Sequence, residues 1–383
     1  MAPADMDTQR AMRILLITTG LKVGGAEHQV VALARAFLAL GHAVAILSLS
    51  PGREIDIPAG VEVFELNMRK TPGGMAAALA QARALVKAWR PDVMHAHMVH
   101  ANLFGRLLTR LVDSPPLVCT AHSFREGGSM RMLAYRLTDR WAALTTHVSQ
   151  DGRAGMIAAG GVRDDRIVVM PNGIDVERFR PDPALRDATR ARLGIAPDAR
   201  VVLNVGRLAP EKAQDLLIRA FGQLPPAVPA HLLIAGGGAL VEALASQIVA
   251  QGLTSSVTLL GPRDDIPAML NAADLFVLSS NIEGLPMVLV EALACGCPVV
   301  STDAPGVAEV LRDQGVIVPR GDAAALAGAM AEALRAGRGT PAQAAARRER
   351  VLSAFSIDSI ARRWLAHYAS LTHGARANPA ETA

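Results

Sequence analysis

Residues 12–50 read MRILLITTGLKVGGAEHQVVALARAFLALGHAVAILSLS and contain the pattern that decides the fold. The segment begins with a short apolar run, MRILLIT (12–18), which predicts a β-strand. A glycine-rich turn and a helical pattern follow, with Gly41 as the predicted cap of the helix C-terminus. One face of this helix carries four apolar residues: Val30, Leu33, Phe37 and Leu38. A second apolar run, HAVAILSLS (42–50), completes a strand–helix–strand unit, which predicts two parallel strands.

The same alternation of strand and helix continues through the chain. The further predicted strands are 61–67, 91–97, 200–206, 230–238, 256–261, 274–280 and 298–302, and a turn at PNGID (171–175) separates two series. The predicted fold class is therefore α/β, with two Rossmann-like, doubly wound parallel-sheet domains covering residues 1–178 and 179–355. An apolar stripe predicts a last helix, 356–373, and residues 374–383 are expected to form a flexible tail.

The composition describes a compact globular protein. Of the 383 residues, 51% are hydrophobic and 19% are charged, which argues against long disordered segments. The net charge is only +4. Three Trp, two Tyr and eight Phe offer few rings for base stacking, and no RNA-binding signature is present, so nucleic acid is not expected as a partner.

The N-terminal half nevertheless has a local excess of arginine. The residues concerned are Arg106, Arg110, Arg125, Arg131, Arg136 and Arg140. They form either a solvated helix face or a surface that meets anionic lipid or a phosphorylated substrate.

Cysteine usage and hydropathy bear on the compartment. Cys119, Cys295 and Cys297 do not have the spacing of a zinc site or a disulfide framework, so we interpret them as buried thiols in a reducing cytosol. No apolar stretch precedes Ile14, and prolines and glycines interrupt the uncharged segment 220–241. We therefore expect a cytoplasmic protein that is soluble or peripheral to the inner face of the membrane.

The stretch EGLPMVLVE (283–291) places Glu283 in a loop after a predicted strand and Glu291 inside the following helix. The first N–H groups of that helix form a natural anion site between the two carboxylates. This layout suits a ligand in which phosphates join a sugar to a ribose. The alternative is one capping acid and one solvent-facing acid.

The stretch VGRLAPEKAQDLL (205–217) adds two cations to one strand-to-helix loop. Arg207 and Lys212 suit a diphosphate, because arginine forks onto phosphate oxygens and lysine acts as a point charge. Taken singly, each is also an ordinary surface charge. The sequence contains no D-x-D pair or Asp/His cluster typical of a Mg²⁺ or Mn²⁺ site, so no metal cofactor is expected.

Glycines and histidines mark further loops. Gly24 and Gly25 let the backbone approach a phosphate closely, and the cluster AGGGAL (235–240) is predicted to turn beside a nucleoside. The pattern is not G-x-G-x-x-G, which disfavours a nicotinamide or flavin site. His122 follows the apolar run LVCTA, as a hydrogen-bond donor to a ligand or as a satisfied structural histidine.

Several segments in order, from about residue 12 to about residue 372, resemble glycosyltransferase family 4, whose retaining enzymes have the GT-B fold. These segments are GGAE, TAHS, VMPNGID, VGRLAPEK, GPRDDIPAMLNAADLFVLSS, EGLPMVLVEALACGCPVVST and PGVAEVL, and they include the family's E-x₇-E pair as Glu283 and Glu291. The resemblance implies that two domains face a central cleft and that helix 356–373 packs back on the first. One departure is Ala213, where many relatives have glycine after the lysine.

The resemblance also implies roles for individual residues. Arg207 and Lys212 would neutralise the donor diphosphate, Glu283 would contact the transferred sugar, Glu291 would bind the ribose, and His122 would sit near the reacting centre. The implied catalytic residues are His122, Arg207, Lys212 and Glu283. The other implied donor contacts are Gly24, Gly25, Gly236, Arg263, Gly284, Leu285, Pro286 and Glu291. The implied acceptor contacts are His97, Asn102 and His122.

The function that follows is metal-independent, retaining transfer of a sugar from a nucleoside-diphosphate donor, UDP-linked by expectation. The acceptor would be lipid-linked or a saccharide in bacterial cell-surface polysaccharide biosynthesis. Two alternatives stay open: a non-hydrolysing nucleotide-sugar epimerase and a non-catalytic nucleotide-sugar-binding subunit. A glycoside hydrolase is disfavoured, because its two carboxyl groups flank one bond rather than a phosphate site.

Overall fold

A computed structural model describes residues 10–22, 24–113, 115–123, 128–196 and 198–376, with the side chains of 373–376 left out. The chain forms two compact units. The first contains the described parts of 1–148, 153–170 and 360–383, and the second contains 149–152 and the described part of 171–359. Each unit has one parallel sheet with helices in the crossover connections, which confirms the predicted pair of doubly wound α/β sheets.

The first sheet has seven parallel strands in the order β3-β2-β1-β4-β5-β6-β7. They are β1 Arg13–Thr18, β2 Ala43–Ser48, β3 Glu62–Glu65, β4 Val93–His97, β5 Leu117–Ala121, β6 Leu144–His147 and β7 Ile167–Val169. The helices along this part of the chain are α1 Gly25–Ala39, α2 Pro72–Trp89, α3 Val99–Leu108, α4 Ser129–Thr138 and α5 Gln150–Ala158. The strand order reverses between β1 and β4, so the crevice typical of such sheets opens at their carboxyl ends.

The second sheet has six parallel strands in the order β10-β9-β8-β11-β12-β13. They are β8 Arg200–Val205, β9 Ala230–Ala235, β10 Val257–Gly261, β11 Leu275–Leu278, β12 Val299–Thr302 and β13 Val316–Val318. The helices along the rest of the chain are α6 Pro183–Arg192, α7 Gln214–Phe221, α8 Val241–Ala250, α9 Ile266–Ala272, α10 Met287–Ala294, α11 Val307–Leu311, α12 Ala323–Ala336, α13 Pro341–Phe355 and α14 Ile357–Arg376. Residues of α14 from Ile360 onward belong to the first unit. In the second sheet the order reverses between β8 and β11.

Continuous apolar strands form both cores. All side chains of β1 after Arg13 are buried, and the same holds for β4, β5, β11 and β12. Because helices cover both faces of a parallel sheet, its strands are buried on both faces and mainly apolar, instead of alternating between buried and exposed side chains. None of the helices in the described ranges combines the length and apolar character needed to cross a bilayer.

The last helix contributes two aromatic residues to the core of the first unit. The ring of Trp364 lies 4.4 Å from that of His95, and the ring of Tyr368 lies 5.8 Å from that of Phe37. The hydroxyl of Tyr368 is also 2.5 Å from Nδ1 of the buried His95. α14 extends to Arg376, and the remainder of the predicted tail, 377–383, lies outside the described residues.

The two units divide the chain at 170/171, whereas the sequence places the boundary at 178/179. The segment after Met170 belongs to the second unit because Ile174 pairs with the end of α13. Its N–H donates to the carbonyl of Phe355 (2.8 Å), and its own carbonyl accepts from the N–H of Ile357 (2.8 Å).

Arg106 does not belong to a solvated helix face. Its side chain is fully buried and donates to Asp139 (3.2 Å), to the carbonyl of Tyr135 (3.0 Å) and to the hydroxyl of Thr145 (2.9 Å). Arg110, Arg131, Arg136 and Arg140 are exposed, and Arg125 lies outside the described residues.

We expect Trp364→Ala to destabilise the first unit by about 3–5 kcal/mol, because it removes a large buried side chain and leaves a cavity beside His95. Urea unfolding followed by circular dichroism measures the change. Arg363→Ala, an exposed neighbour on the same helix, is the control and should change the unfolding free energy little. Equal effects of the two substitutions would contradict the packing described.

Candidate active site

The carboxyl ends of β8 and β11 bring the main predicted site residues of the second unit together. Arg207 comes two residues after β8, and Glu283 comes shortly after β11. The two strands are neighbours because the sheet reverses its order between them. Ligands of open parallel sheets bind at this position.

Lys212 and Glu283 form an ion pair across this point. The ammonium Nζ of Lys212 lies 2.7 Å from both carboxylate oxygens of Glu283. Glu283 is almost buried, and about a quarter of the Lys212 side chain is exposed. Two residues predicted independently to bind a donor therefore hold each other in one charge-neutral contact.

Three hydroxyl groups hold this ion pair and its loop in place, and none of them is among the predicted site residues. The hydroxyl of Ser280 donates to Glu283 (2.6 Å), and that of Ser279 donates to the carbonyl of Lys212 (3.0 Å). Thr302, at the end of β12, donates to the carbonyl of Ser280 (2.6 Å). Their position directly after buried strands was the available signal.

Lys212 lies in the loop before α7 and not in the helix itself. It ends a short 3₁₀ turn, and Ala213 then adopts φ +48°, so that α7 begins at Gln214. This left-handed conformation costs a residue with a Cβ about 1–2 kcal/mol, whereas glycine adopts it without that cost. The loop keeps the shape that glycine favours although alanine occupies the position.

Arg207 has a fixed backbone and an exposed side chain. The N–H of the preceding Gly206 donates to the carbonyl of Ala235 (3.0 Å), and the carbonyl of Arg207 accepts from the amide of Gln214 (3.1 Å). The guanidinium is 69% exposed and pairs with Glu211. Its side chain is thus able to leave an exposed ion pair at little cost when an anion binds.

The predicted glycine turn after β9 packs directly on this loop. Gly236 has φ +144°, and a Cβ there would lie only 1.9 Å from the carbonyl oxygen of Gly206. Only glycine fits this contact, so Gly236 supports the Arg207 loop. Arg263, another predicted donor contact, is engaged with Asp265 (2.8 and 2.5 Å), and this hydrogen bonding lowers the pKa of the Asp265 carboxyl.

The loop before α10 contains Gly284, Leu285 and Pro286, and the helix starts at Met287. Gly306, with φ +79°, lies against this loop, and a Cβ there would be 2.7 Å from the carbonyl oxygen of Gly284. The first N–H groups of an eight-residue helix therefore border the same strand ends as Lys212. Such a helix N-terminus favours an anion.

Glu291 lies inside α10 and is partly buried. Burial raises the pKa of its carboxyl to about 7, and Arg178 opposes the shift. A carboxyl group whose pKa is raised by burial destabilises the folded state at neutral and higher pH, which is common for groups that serve a ligand.

The first unit gathers histidines at the carboxyl ends of β4, β5 and β6. Nδ1 of His97 lies 3.0 Å from Nε2 of His122, and Nε2 of His147 lies 3.1 Å from the carbonyl of Ser123. His95 is accounted for structurally, since its two ring nitrogens contact Tyr368 and Thr120 (2.6 Å). His147 was not predicted from the sequence.

Burial keeps these imidazoles neutral. It lowers the pKa of His122 to about 3, with a smaller contribution from His147, and it lowers the pKa of His97 well below the ordinary range. A neutral imidazole donates one hydrogen bond and accepts another. The pair is therefore suited to orienting hydroxyl groups.

The remaining predicted residues of the first unit lie at the start of α1 or within α3, and not in the sheet itself. Gly24 and Gly25 begin α1 after β1. Asn102 is fully buried and donates to the carbonyl of Thr120 (2.9 Å) and to the hydroxyl of Tyr135 (2.8 Å). These contacts explain its burial, and acceptor binding by Asn102 stays a prediction. In the described ranges, no three His, Cys, Asp or Glu side chains are grouped as a metal site requires.

Comparison with known proteins gives the same picture over most of the chain. Residues 186–350 match the family described as "Glycosyl transferases group 1", and residues 23–178 match "Glycosyltransferase Family 4". The chain belongs to glycosyltransferase family 4. Arg207, Lys212 and the E-x₇-E pair all lie in the segment that matches group 1.

Individual family 4 relatives include bacterial enzymes. The chain is 30% identical over 220 residues to "Putative glycosyltransferase EpsF" of Bacillus subtilis, covering 55% of this chain and 57% of the relative. It is 33% identical over 242 residues to "GDP-mannose-dependent alpha-(1-6)-phosphatidylinositol monomannoside mannosyltransferase" of Mycolicibacterium smegmatis, covering 59% and 63%. The chain thus spans somewhat less than two thirds of the length of these curated relatives.

A solved structure matches more completely. Anabaena Alr3699/HepE, crystallised with UDP and glucose, is 26% identical, with a TM-score of 0.81 over 94% of this chain and 100% of that one. Sucrose-phosphate synthase from Thermosynechococcus elongatus, at 21% identity and a TM-score of 0.82, shares the fold.

The raised pKa of Glu291 predicts that this residue lowers the folding stability by an amount that depends on pH. The folded protein keeps a proton that the unfolded chain releases from about pH 4.5, so stability falls as the pH rises to about 7. Glu291→Gln should therefore be more stable than the wild type by about 1–3 kcal/mol at about pH 8, with little difference at about pH 4. Chemical unfolding at both pH values measures this.

The exposed Glu332→Gln serves as the matched control and should show no such pH dependence. If Glu291 also binds a ribose, its glutamine variant should bind nucleotide about tenfold less tightly while being more stable. If the unfolding free energy of Glu291→Gln depended on pH as that of the wild type does, Glu291 would not destabilise the folded protein in the way predicted.

Proposed function

We propose that this chain transfers a sugar from a nucleoside-diphosphate donor to a lipid-linked or saccharide acceptor in bacterial surface-polysaccharide or glycolipid biosynthesis. One observation carries the proposal: the Lys212–Glu283 ion pair at the reversal point of the second sheet. Membership of family 4 supports it, as does the similarity to the Bacillus subtilis protein named as a putative glycosyltransferase.

The second unit is proposed to bind the donor. Lys212 and Arg207 would face the diphosphate, and the N-terminus of α10 would add backbone donors. Binding of an anion at Lys212 weakens its attraction to Glu283 and leaves carboxylate lone pairs available for sugar hydroxyls. Glu291 would accept hydrogen bonds from the ribose, which compensates for the cost of its burial.

The proposed chemistry balances without a protein base. The bond from the anomeric carbon to the diphosphate breaks, and its electron pair stays on the phosphate oxygen. The acceptor oxygen bonds to the same face of that carbon, and its proton passes to the departing phosphate oxygen. The two cations Arg207 and Lys212 stabilise the charge that develops, and such electrostatic stabilisation is the largest effect in many enzymes.

Retention and metal independence are further parts of the proposal, and they rest on the family resemblance and on Arg207 and Lys212 as charge carriers. Nuclear magnetic resonance of the product would show an anomeric carbon with the donor's configuration. A chelator should leave the rate unchanged. An inverted product, or loss of activity that a divalent ion restores, would overturn the corresponding part.

UDP is the proposed nucleotide, because the solved relative with the fuller coverage was crystallised with it. A GDP-mannose donor is the second candidate, supported by the mannosyltransferase at 33% identity. The test is a panel of UDP- and GDP-sugars with lipid-linked and saccharide acceptors, scored for release of nucleoside diphosphate.

Three results of this panel separate the open functions. Acceptor-dependent release of UDP supports the proposal. Conversion of one nucleotide sugar to another without acceptor would indicate an epimerase. Tight nucleotide binding without turnover of any donor would indicate a binding subunit.

Lys212→Ala should reduce kcat by about 10²–10³-fold, because it removes a fixed cation from the developing diphosphate charge. Glu283→Gln should also reduce it, and the double variant should lose less than the product of the two single effects, since each residue holds the other. Steady-state kinetics on folded protein provides the measurement. Lys87→Ala, an exposed lysine on α2, should keep wild-type kinetics, and equal losses in Lys87 and Lys212 variants would refute the assignment.

A further inference from the structure

α4 carries large apolar residues on two opposite sides. Met132 and Tyr135 are buried in the first unit. Met130, Leu133 and Leu137 are 76%, 48% and 64% exposed. At about 100° per residue, these three residues point away from the buried side. A surface helix normally presents polar residues there, so this outer stripe has no role in the core.

Arginines flank the outer stripe. Arg131 lies on one side of it and Arg136 on the other, both exposed, and Arg140 follows in the next turn. The only acid between residues 128 and 141 is Asp139, which is buried. Its carboxylate accepts from Arg106 (3.2 Å) and Arg166 (2.8 Å), so it does not neutralise the outer arginines.

The neighbouring helix has the same character. The second half of α3 lies against α4, because Arg106 donates to the carbonyl of Tyr135 and Thr109 donates to that of Trp141 (3.3 Å). Leu107 and Leu111 are 38% and 45% exposed there. Exposed arginine again lies among them, as Arg110.

We propose that the outer side of α4, comprising Met130, Arg131, Leu133, Arg136 and Leu137, binds the surface of an anionic lipid bilayer. An apolar stripe bordered by arginines matches the boundary between lipid headgroups and acyl chains. The leucines enter the apolar layer, and the guanidinium groups stay with the phosphates. This inference goes beyond the transferase activity and does not depend on it.

Sedimentation of the full chain with vesicles tests the proposal. The vesicles contain either phosphatidylcholine and phosphatidylglycerol in equal parts or phosphatidylcholine alone. The protein should bind the anionic vesicles much more tightly, and added salt should weaken this binding. Equal binding to both vesicles, or no binding to either, overturns the proposal.

Variants separate the two parts of the surface. Leu133→Gln with Leu137→Gln should weaken binding to anionic vesicles about tenfold or more. Arg131→Gln with Arg136→Gln should weaken it by a similar factor and flatten its salt dependence. Val249→Gln and Arg335→Gln, exposed residues of the second unit, are the matched controls and should bind as the wild type does.

Two further measurements keep the result interpretable. Binding of UDP should be the same in all variants, because the proposed donor residues lie in the second unit, so failure of vesicle binding is distinguishable from failure of the proposed function. Sedimentation velocity without lipid should give the same species for wild type and variants. Self-association of the wild type that the leucine variants abolish would instead make this surface an interface between copies of the chain.

Discussion

The contact between Lys212 and Glu283 depends on the topology of the second sheet. The two residues are 71 positions apart, and they meet because β8 and β11 are adjacent. Glu283 is nearly buried, and its charge is tolerated because Lys212 lies 2.7 Å away and Ser280 donates to it. An anion that binds Lys212 therefore acts on Glu283 as well. The stability of this loop and its readiness for a ligand rest on one interaction.

Two side-chain pairs at the strand ends differ in their electrostatics. In the second unit, Lys212 and Glu283 pair opposite charges. In the first unit, His97 and His122 contact each other as neutral imidazoles, because burial lowers the pKa of both. A paired charge responds to a charged ligand, whereas a neutral imidazole pair offers directed hydrogen bonds. This difference agrees with a diphosphate ligand for the second unit and hydroxyl groups for the first.

The sequence predicts the sheets because their strands are buried on both faces and read as continuous apolar runs. It also predicts that Arg207, Lys212 and Glu283 follow strand ends. It does not predict the shape of the loop at Ala213, because a left-handed alanine is unfavourable locally and is imposed by the surrounding fold. His147 and Ser279 are missed for a related reason: their partners lie 24 and 67 positions away in the sequence, and no local pattern records such contacts.

Not all of the arginines of the chain lie on its surface. Many guanidinium groups donate to backbone carbonyls inside the fold. Arg186 and Arg190 pair with the buried Asp274, and Arg186 and Arg338 also reach carbonyls at the end of α9. These arginines stabilise the end of α9, because one planar guanidinium group donates hydrogen bonds to several carbonyls at once. Within the part of the chain that the structure describes, the exposed arginines of α4 show no such contact, and they border apolar side chains that the core does not use. An external partner is the simplest physical reason for both features.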